Sequence, residues 1–125
     1  ARLPRLVPAS PPFEVLVGPR REGAQLFTNP DDGPPAAGER RRRTRPRYYF
    51  VANEYYFNRD GIHGDRHGDF GDNARRWAFL SAAAVRALPG ITGGAPAVLH
   101  AHDWHAALAP TMLRTWWADD PAYRE

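Results

Sequence analysis

Apolar positions along the chain fall into short runs, and their spacing shifts from a strand period to a helical one past residue 72. Phe13-Glu14-Val15-Leu16-Val17-Gly18 reads as a strand, Gln25-Leu26-Phe27-Thr28 as a weaker one, and Tyr48-Tyr49-Phe50-Val51-Ala52 as a clear one. Aromatic and β-branched residues suit a pleated, half-buried surface. Asp72 can cap a helix over Asn73–Leu88. In it Trp77, Leu80, Ala84 and Leu88 share a face, while Arg75, Arg76 and Arg86 leave toward solvent; Pro89-Gly90 stops it. Gly93-Gly94-Ala95-Pro96 then introduces a buried strand at 97–101. A second helix follows from near Trp104 to Trp117, with Asp103 as its cap and a bend at Pro110. Strand, helix, strand, helix predicts an α/β fold with a parallel sheet, right-handed crossovers and flanking helices.

The intervening stretches are punctuated rather than periodic. Residues 1–12 carry four prolines and read as an extended lead-in. Residues 29–47 form a Pro/Gly/Asp/Arg stretch expected to be a disordered or inserted loop. Asn53–Gly71, with Gly61, Gly64, Gly68 and Gly71, reads as an ordered loop in which Tyr55, Tyr56 and Phe57 pack.

A length of 125 residues allows one domain or a piece of one, and 42% apolar residues suffice for a core. No apolar run is long enough to span a membrane, and the first residues, Ala1-Arg2-Leu3-Pro4-Arg5, lack the continuous apolar segment and cleavage site expected of a signal peptide. It does not begin with Met, so the expectation is a start inside a longer protein. The absence of Cys excludes a disulfide framework and a thiolate zinc site, and fits a cytoplasmic location. All 17 basic residues are Arg, for a net charge of +3. The run Arg40–Arg47 lacks interleaved aromatics and reads as a solvated loop and strand flank; a nucleic-acid arm is the alternative.

The candidate chemistry lies in Val98-Leu99-His100-Ala101-His102-Asp103-Trp104-His105, where an apolar run ends in a polar cluster. Ligands in open α/β sheets bind outside the carboxyl ends of strands. Three readings of the cluster compete. In the plainest, Asp103 accepts hydrogen bonds from the following helix and the histidines bond backbone carbonyls. In the second, His100, His102, Asp103 and His105 belong to a metal-dependent hydrolase. Their order is similar to the His-x-His-x-Asp-His signature of zinc hydrolases of the metallo-β-lactamase fold, but Asp103 comes one residue early and no His or Cys follows His105.

The third reading is a resemblance. Val98 through Pro110, with His100-Ala101-His102-Asp103-Trp104-His105 at its centre, resembles the signature of bacterial glycogen synthases and plant starch synthases. Tyr49 through Asp65 is similar to that family's YFIDxPxYFDRxGxYGD, with Asn53 in place of an acidic residue and His63 where Tyr is common. Gly71-Asp72-Asn73-Ala74-Arg75-Arg76-Trp77-Ala78-Phe79-Leu80-Ser81 is close to DNAERFAFFS. The matches run in order over residues 48–110.

The resemblance implies a partial Rossmann-like sheet, the N-terminal half of a retaining GT-B glycosyltransferase. Residues 1–125 would then be a fragment of the N-terminal catalytic domain, inactive alone. The family's Lys-x-Gly-Gly-Leu loop, Thr-Val-His-Asn segment and nucleotide-holding second domain are not found within these residues, as expected of such a fragment. The implied partners are ADP-glucose, or UDP-glucose as the alternative donor, and an α-1,4-glucan, with no cofactor, metal, nucleic acid or membrane. Asp103 matches the family aspartate at the interdomain cleft and is the candidate catalytic residue, binding a glucose hydroxyl and favouring developing positive charge. His102 and His105 are candidate substrate-site residues that orient Asp103 or its loop. Trp104 reads as core, with stacking on a sugar ring as the alternative. A noncatalytic carbohydrate-binding module is the rival to the enzyme.

Overall fold

Gly18 and Pro19 turn the chain back on itself between β2 (Phe13–Val17) and β3 (Arg20–Thr28). Gly18 takes the left-handed conformation, φ 61°, that a side chain would disfavour in this two-residue turn. The computed structural model describes residues 5–32, 46–94 and 98–123. In it β3 is the hub of a four-stranded sheet. Its first half pairs with β2, from Val17↔Arg20 to Phe13↔Ala24. Its second half pairs with β1 (Val7–Pro8) and, from Thr28↔Tyr49 to Gln25↔Ala52, with β4 (Tyr49–Ala52).

Among the described residues every pairing is antiparallel, which corrects the expected parallel sheet. A two-residue turn can only return the chain antiparallel, and parallel neighbours need a crossover of a dozen or more residues. Here β1 to β4 all precede the long helix. Strands and helices are both present, with antiparallel sheets. The weak strand at Gln25–Thr28 is the end of the longest strand, and the proline-rich lead-in contributes β1. The strand expected at 97–101 does not form over residues 98–102: Val98 is 95% exposed with no neighbouring strand to complete a ladder, and residues 95–97 lie outside those described. Of the loop expected at 29–47, residues 33–45 also lie outside; at its described ends Arg47 Nε donates to the Asp32 carbonyl at 3.3 Å.

After β4, Asn53 starts α1 (Glu54–Phe57). Its Oδ1 accepts from Tyr56 N at 2.9 Å and its Nδ2 donates to the Gly23 carbonyl at 2.8 Å, tying helix to sheet. A small hairpin, β5 (Gly64–Asp65) and β6 (Gly68–Asp69), follows inside what the sequence presents as loop. Then come α2 (Asn73–Thr92), α3 (Asp103–Ala106), α4 (Leu108–Thr115) and a 3-10 turn at Pro121–Tyr123.

The core gathers Val15, Val17 and Ala24 from the sheet, Tyr56 from α1, Phe79, Ala82 and Ala83 from α2, and Met112 from α4. Tyr56 and Phe79 meet at 5.0 Å between ring centroids, and the Tyr56 hydroxyl donates to Glu22 Oε1 at 2.9 Å. Burial first, and that carboxylate second, push the phenol up to about 12. The buried face of α2 is rotated from the expected one: Leu80, Ala84 and Leu88 are only half-buried, while Phe79, Ala82 and Ala83 are covered. Because α2 packs on the sheet along one side and on α3 and α4 along another, one amphipathic stripe cannot describe it.

Four further expectations are corrected by α2 and its neighbours. The helix runs through Pro89-Gly90 and ends at Gly93, φ 65°. Proline withholds the N–H that the Val85 carbonyl would accept, and the Tyr123 hydroxyl donates there instead at 3.0 Å. Arg76, expected in solvent, is 2% exposed. Asp72 precedes the helix without capping it through its side chain; both carboxylate oxygens instead receive Arg59, at 2.7 and 2.6 Å. Past α3 the expected single helix is broken at Ala107, so Pro110 sits in the first turn of α4, where a missing N–H is tolerated.

Phe79→Ala is expected to lower unfolding free energy by about 3–5 kcal/mol, read from urea denaturation; a loss under 1 kcal/mol would place the core elsewhere. Asp72 supplies a pH test. Hydrogen bonding to Arg59 holds its carboxyl below the ordinary carboxylate value. Its contribution is therefore complete above that ordinary value and disappears as pH falls through the lowered one. Asp72→Asn should cost about 1 kcal/mol at neutral pH, the gap to the parent closing below about pH 4. A gap independent of pH would refute the pair's role.

Candidate active-site turn

Where the chain enters α3, Asp103 adopts φ 61°, the one non-glycine residue at positive φ among the described residues. That region costs an ordinary L-residue roughly 1–2 kcal/mol. Aspartate reaches it more readily because its short polar side chain bonds locally, and here Oδ1 accepts from Trp104 N at 2.6 Å. The other oxygen lies 3.9 Å from His105 Nδ1, and 56% of the side chain remains exposed. Asp103 is thus not the expected helix cap: the residue before α3 is His102, which makes no capping bond. Nor does the carboxylate leave the tip of a sheet strand. It is turned outward by a strained backbone at a helix start. Strain of this kind concentrates where surrounding structure holds a functional group in place.

Around the carboxylate lies a shelf of rings. Trp104, which reads from sequence as core, is 52% exposed. Its indole stacks on His63 at 5.5 Å and lies 4.4 Å from His105, centroid to centroid. His105 stands edge-on to Trp77 at 4.6 Å, and its Nε2 is 3.3 Å from His63 Nδ1. His105 is therefore the imidazole beside Asp103. His102 is exposed and its ring neighbours that of His100 at 6.3 Å. Of the candidate residues, the structure brings Asp103, Trp104 and His105 together and leaves His102 beside them.

His63 joins the shelf from the Gly-rich loop, 42 residues away, and composition or periodicity gave no signal for it. Its carbonyl accepts from Phe70 N at 2.9 Å and from Asn73 Nδ2 at 2.6 Å, which fixes the loop against the start of α2. Among the described residues no three or more His, Cys, Asp or Glu side chains are placed to share a metal ion, which leaves the hydrolase reading without a ligand set. What the turn can do is different. An accessible carboxylate accepts hydroxyl hydrogen bonds, the imidazole beside it donates or accepts, and the half-open indole offers an apolar face with a polar edge. Polyhydroxylated ligands fit that combination.

Comparison with known proteins bears on the same residues. The family model for the starch synthase catalytic domain matches residues 29–125. A glycogen synthase of Syntrophotalea carbinolica is 45% identical over 75 residues, 60% of this chain and 15% of that protein. One from Koribacter versatilis is 43% identical over 76 residues, covering 61% and 15%. One from Anaeromyxobacter sp. strain Fw109-5 is 46% identical over 81 residues, covering 64% and 17%. The chain thus spans about a sixth of the length of these curated relatives. No solved structure matches it. With the family model covering well over half its residues, the chain belongs to the starch synthase catalytic domain family.

Proposed function

We propose that residues 1–125 are part of the N-terminal, Rossmann-like lobe of a GT-B glycogen synthase that transfers glucose from ADP-glucose to the nonreducing end of an α-1,4-glucan with retention. The observation that carries this reading is Asp103: an exposed carboxylate on a left-handed residue, 3.9 Å from His105 Nδ1 and followed directly by the half-exposed Trp104. Family membership supports the reaction class. No helix among the described residues is long and apolar enough to cross a membrane.

In this reading Asp103 binds a glucose hydroxyl and stabilises positive charge as the anomeric carbon becomes oxocarbenium-like. His105 orients the carboxylate from its Nδ1 side, and Trp104 stacks on a sugar ring. His102, at the rim, meets the ligand or the facing lobe. The donor's diphosphate and base are held by parts of the longer protein, so the present residues bind sugar without completing the reaction.

Asp103→Asn is the cleanest variant, because Asn also tolerates the left-handed region whereas Ala adds strain there. In the full-length enzyme it should lower kcat about 10²–10³-fold with the fold intact by circular dichroism; a near-normal rate would reduce Asp103 to a backbone device. Residues 1–125 alone should not incorporate glucose from ADP-glucose into glucan, and measurable elongation would refute the division of labour between lobes.

A further inference from the structure

The least expected group in the molecule is the Arg76 guanidinium, 2% exposed and aimed into the protein from the first turns of α2. Desolvating a cation is costly unless its donors are used. Nε donates to the Tyr56 carbonyl at 2.9 Å, and Nη1 to the Ile62 carbonyl at 2.8 Å and to Asn73 Oδ1 at 2.7 Å. Its ordinary value is lowered by burial and then by the Arg59 charge, with Asp72 opposing from a distance. Rings close the cage: the guanidinium carbon lies 4.8 Å from the Trp77 ring centre, 5.1 Å from Phe70 and 6.0 Å from Phe57. Phe70 is covered from a second guanidinium, Arg59, at 5.2 Å.

These contacts have a direction. Ile62 immediately precedes His63, and Asn73, which accepts from Arg76, also donates to the His63 carbonyl. Trp77, under the guanidinium, is the ring against which His105 stands. One buried cation therefore touches both sides of the shelf, the loop carrying His63 and the helix backing His105. A neutral apolar side chain could fill the space but could not bond two carbonyls and an amide from two segments at once. A lysine ammonium is a point charge on a flexible stem and lacks the fork that spans them.

We infer that Arg76 is a positioning residue for the sugar-binding turn: it locks the loop of His63 onto α2 and so sets the shelf that Trp104 and His105 form beside Asp103. The inference rests on the proposed function of that turn for its catalytic consequence, but not for its geometry.

Two-dimensional NMR of this chain separates the two. In the parent chain, ring-to-ring NOEs are expected from His63 to Trp104 and to His105, along with a protected Arg76 Nε–H signal close to Tyr56 and Ile62 protons. Arg76→Lys, which keeps a cation in the cage, should abolish the His63 ring NOEs while the Tyr56–Phe79 NOEs of the core persist. Retention of the His63 NOEs in that variant overturns the inference. If the variant fails to fold, the parent decides: a freely exchanging Arg76 Nε–H overturns it and a protected one supports it. In the full-length enzyme Arg76→Lys should raise KM for glucan about tenfold with a smaller change in kcat. Loss of the NOEs with unaltered kinetics would leave Arg76 as the organiser of the shelf and remove the shelf from catalysis.

Discussion

The structure depends on α2 being buried along two sides at once. Phe79, Ala82 and Ala83 press it to the sheet, with Tyr56 wedged between, while α3 and α4 close over the other side through Met112. Alanines at 82 and 83 let the backbone of the helix approach the sheet closely, and the larger Phe79 fills the space beside them. Each segment bearing a candidate functional group is tied to this helix. The Gly-rich loop is held through Asn73, Arg76 and the Arg59–Asp72 pair. The α3 turn rests on Trp77, and the last turn of the chain bonds the carbonyl that Pro89 leaves free.

That arrangement explains how a small and largely antiparallel fold can present a preorganised polar turn. The carboxylate of Asp103 gains its outward position from a backbone conformation that costs free energy, and the neighbouring rings limit the alternatives. The half-exposed Trp104 and Asp103 distinguish the turn from the packed interior, where Tyr56 and Phe79 are fully covered. The same contrast separates residues that hold the molecule together from those free to meet a ligand.

Much of this was legible in the residues themselves. The strands at Phe13–Val17 and Tyr49–Ala52 and the helix beginning at Asn73 follow from periodicity and from the quoted motifs, and one of those motifs singles out the residues of the candidate turn at 103. Direction of pairing was not legible, because strand order and turn length compete and the Gly18-Pro19 hairpin decides for antiparallel. Over residues 98–101 the expected strand fails for a related reason: its apolar pattern needs a neighbouring edge, and among the described residues none covers Val98. Arg76 was misread because charge predicts solvent unless the donors find acceptors, and two of its three acceptors are backbone carbonyls, silent in a sequence. His63 was invisible in the same sense, since a contact across 42 residues is written in the fold of a Gly-rich loop and not in local spacing.

The most direct measurement is a crystal structure of the full-length protein with a bound maltooligosaccharide. The account predicts a sugar hydroxyl within about 2.6–3.2 Å of an Asp103 oxygen, with a pyranose ring lying over Trp104. A glucan bound elsewhere, with Asp103 bonded only to the Trp104 amide, would contradict it.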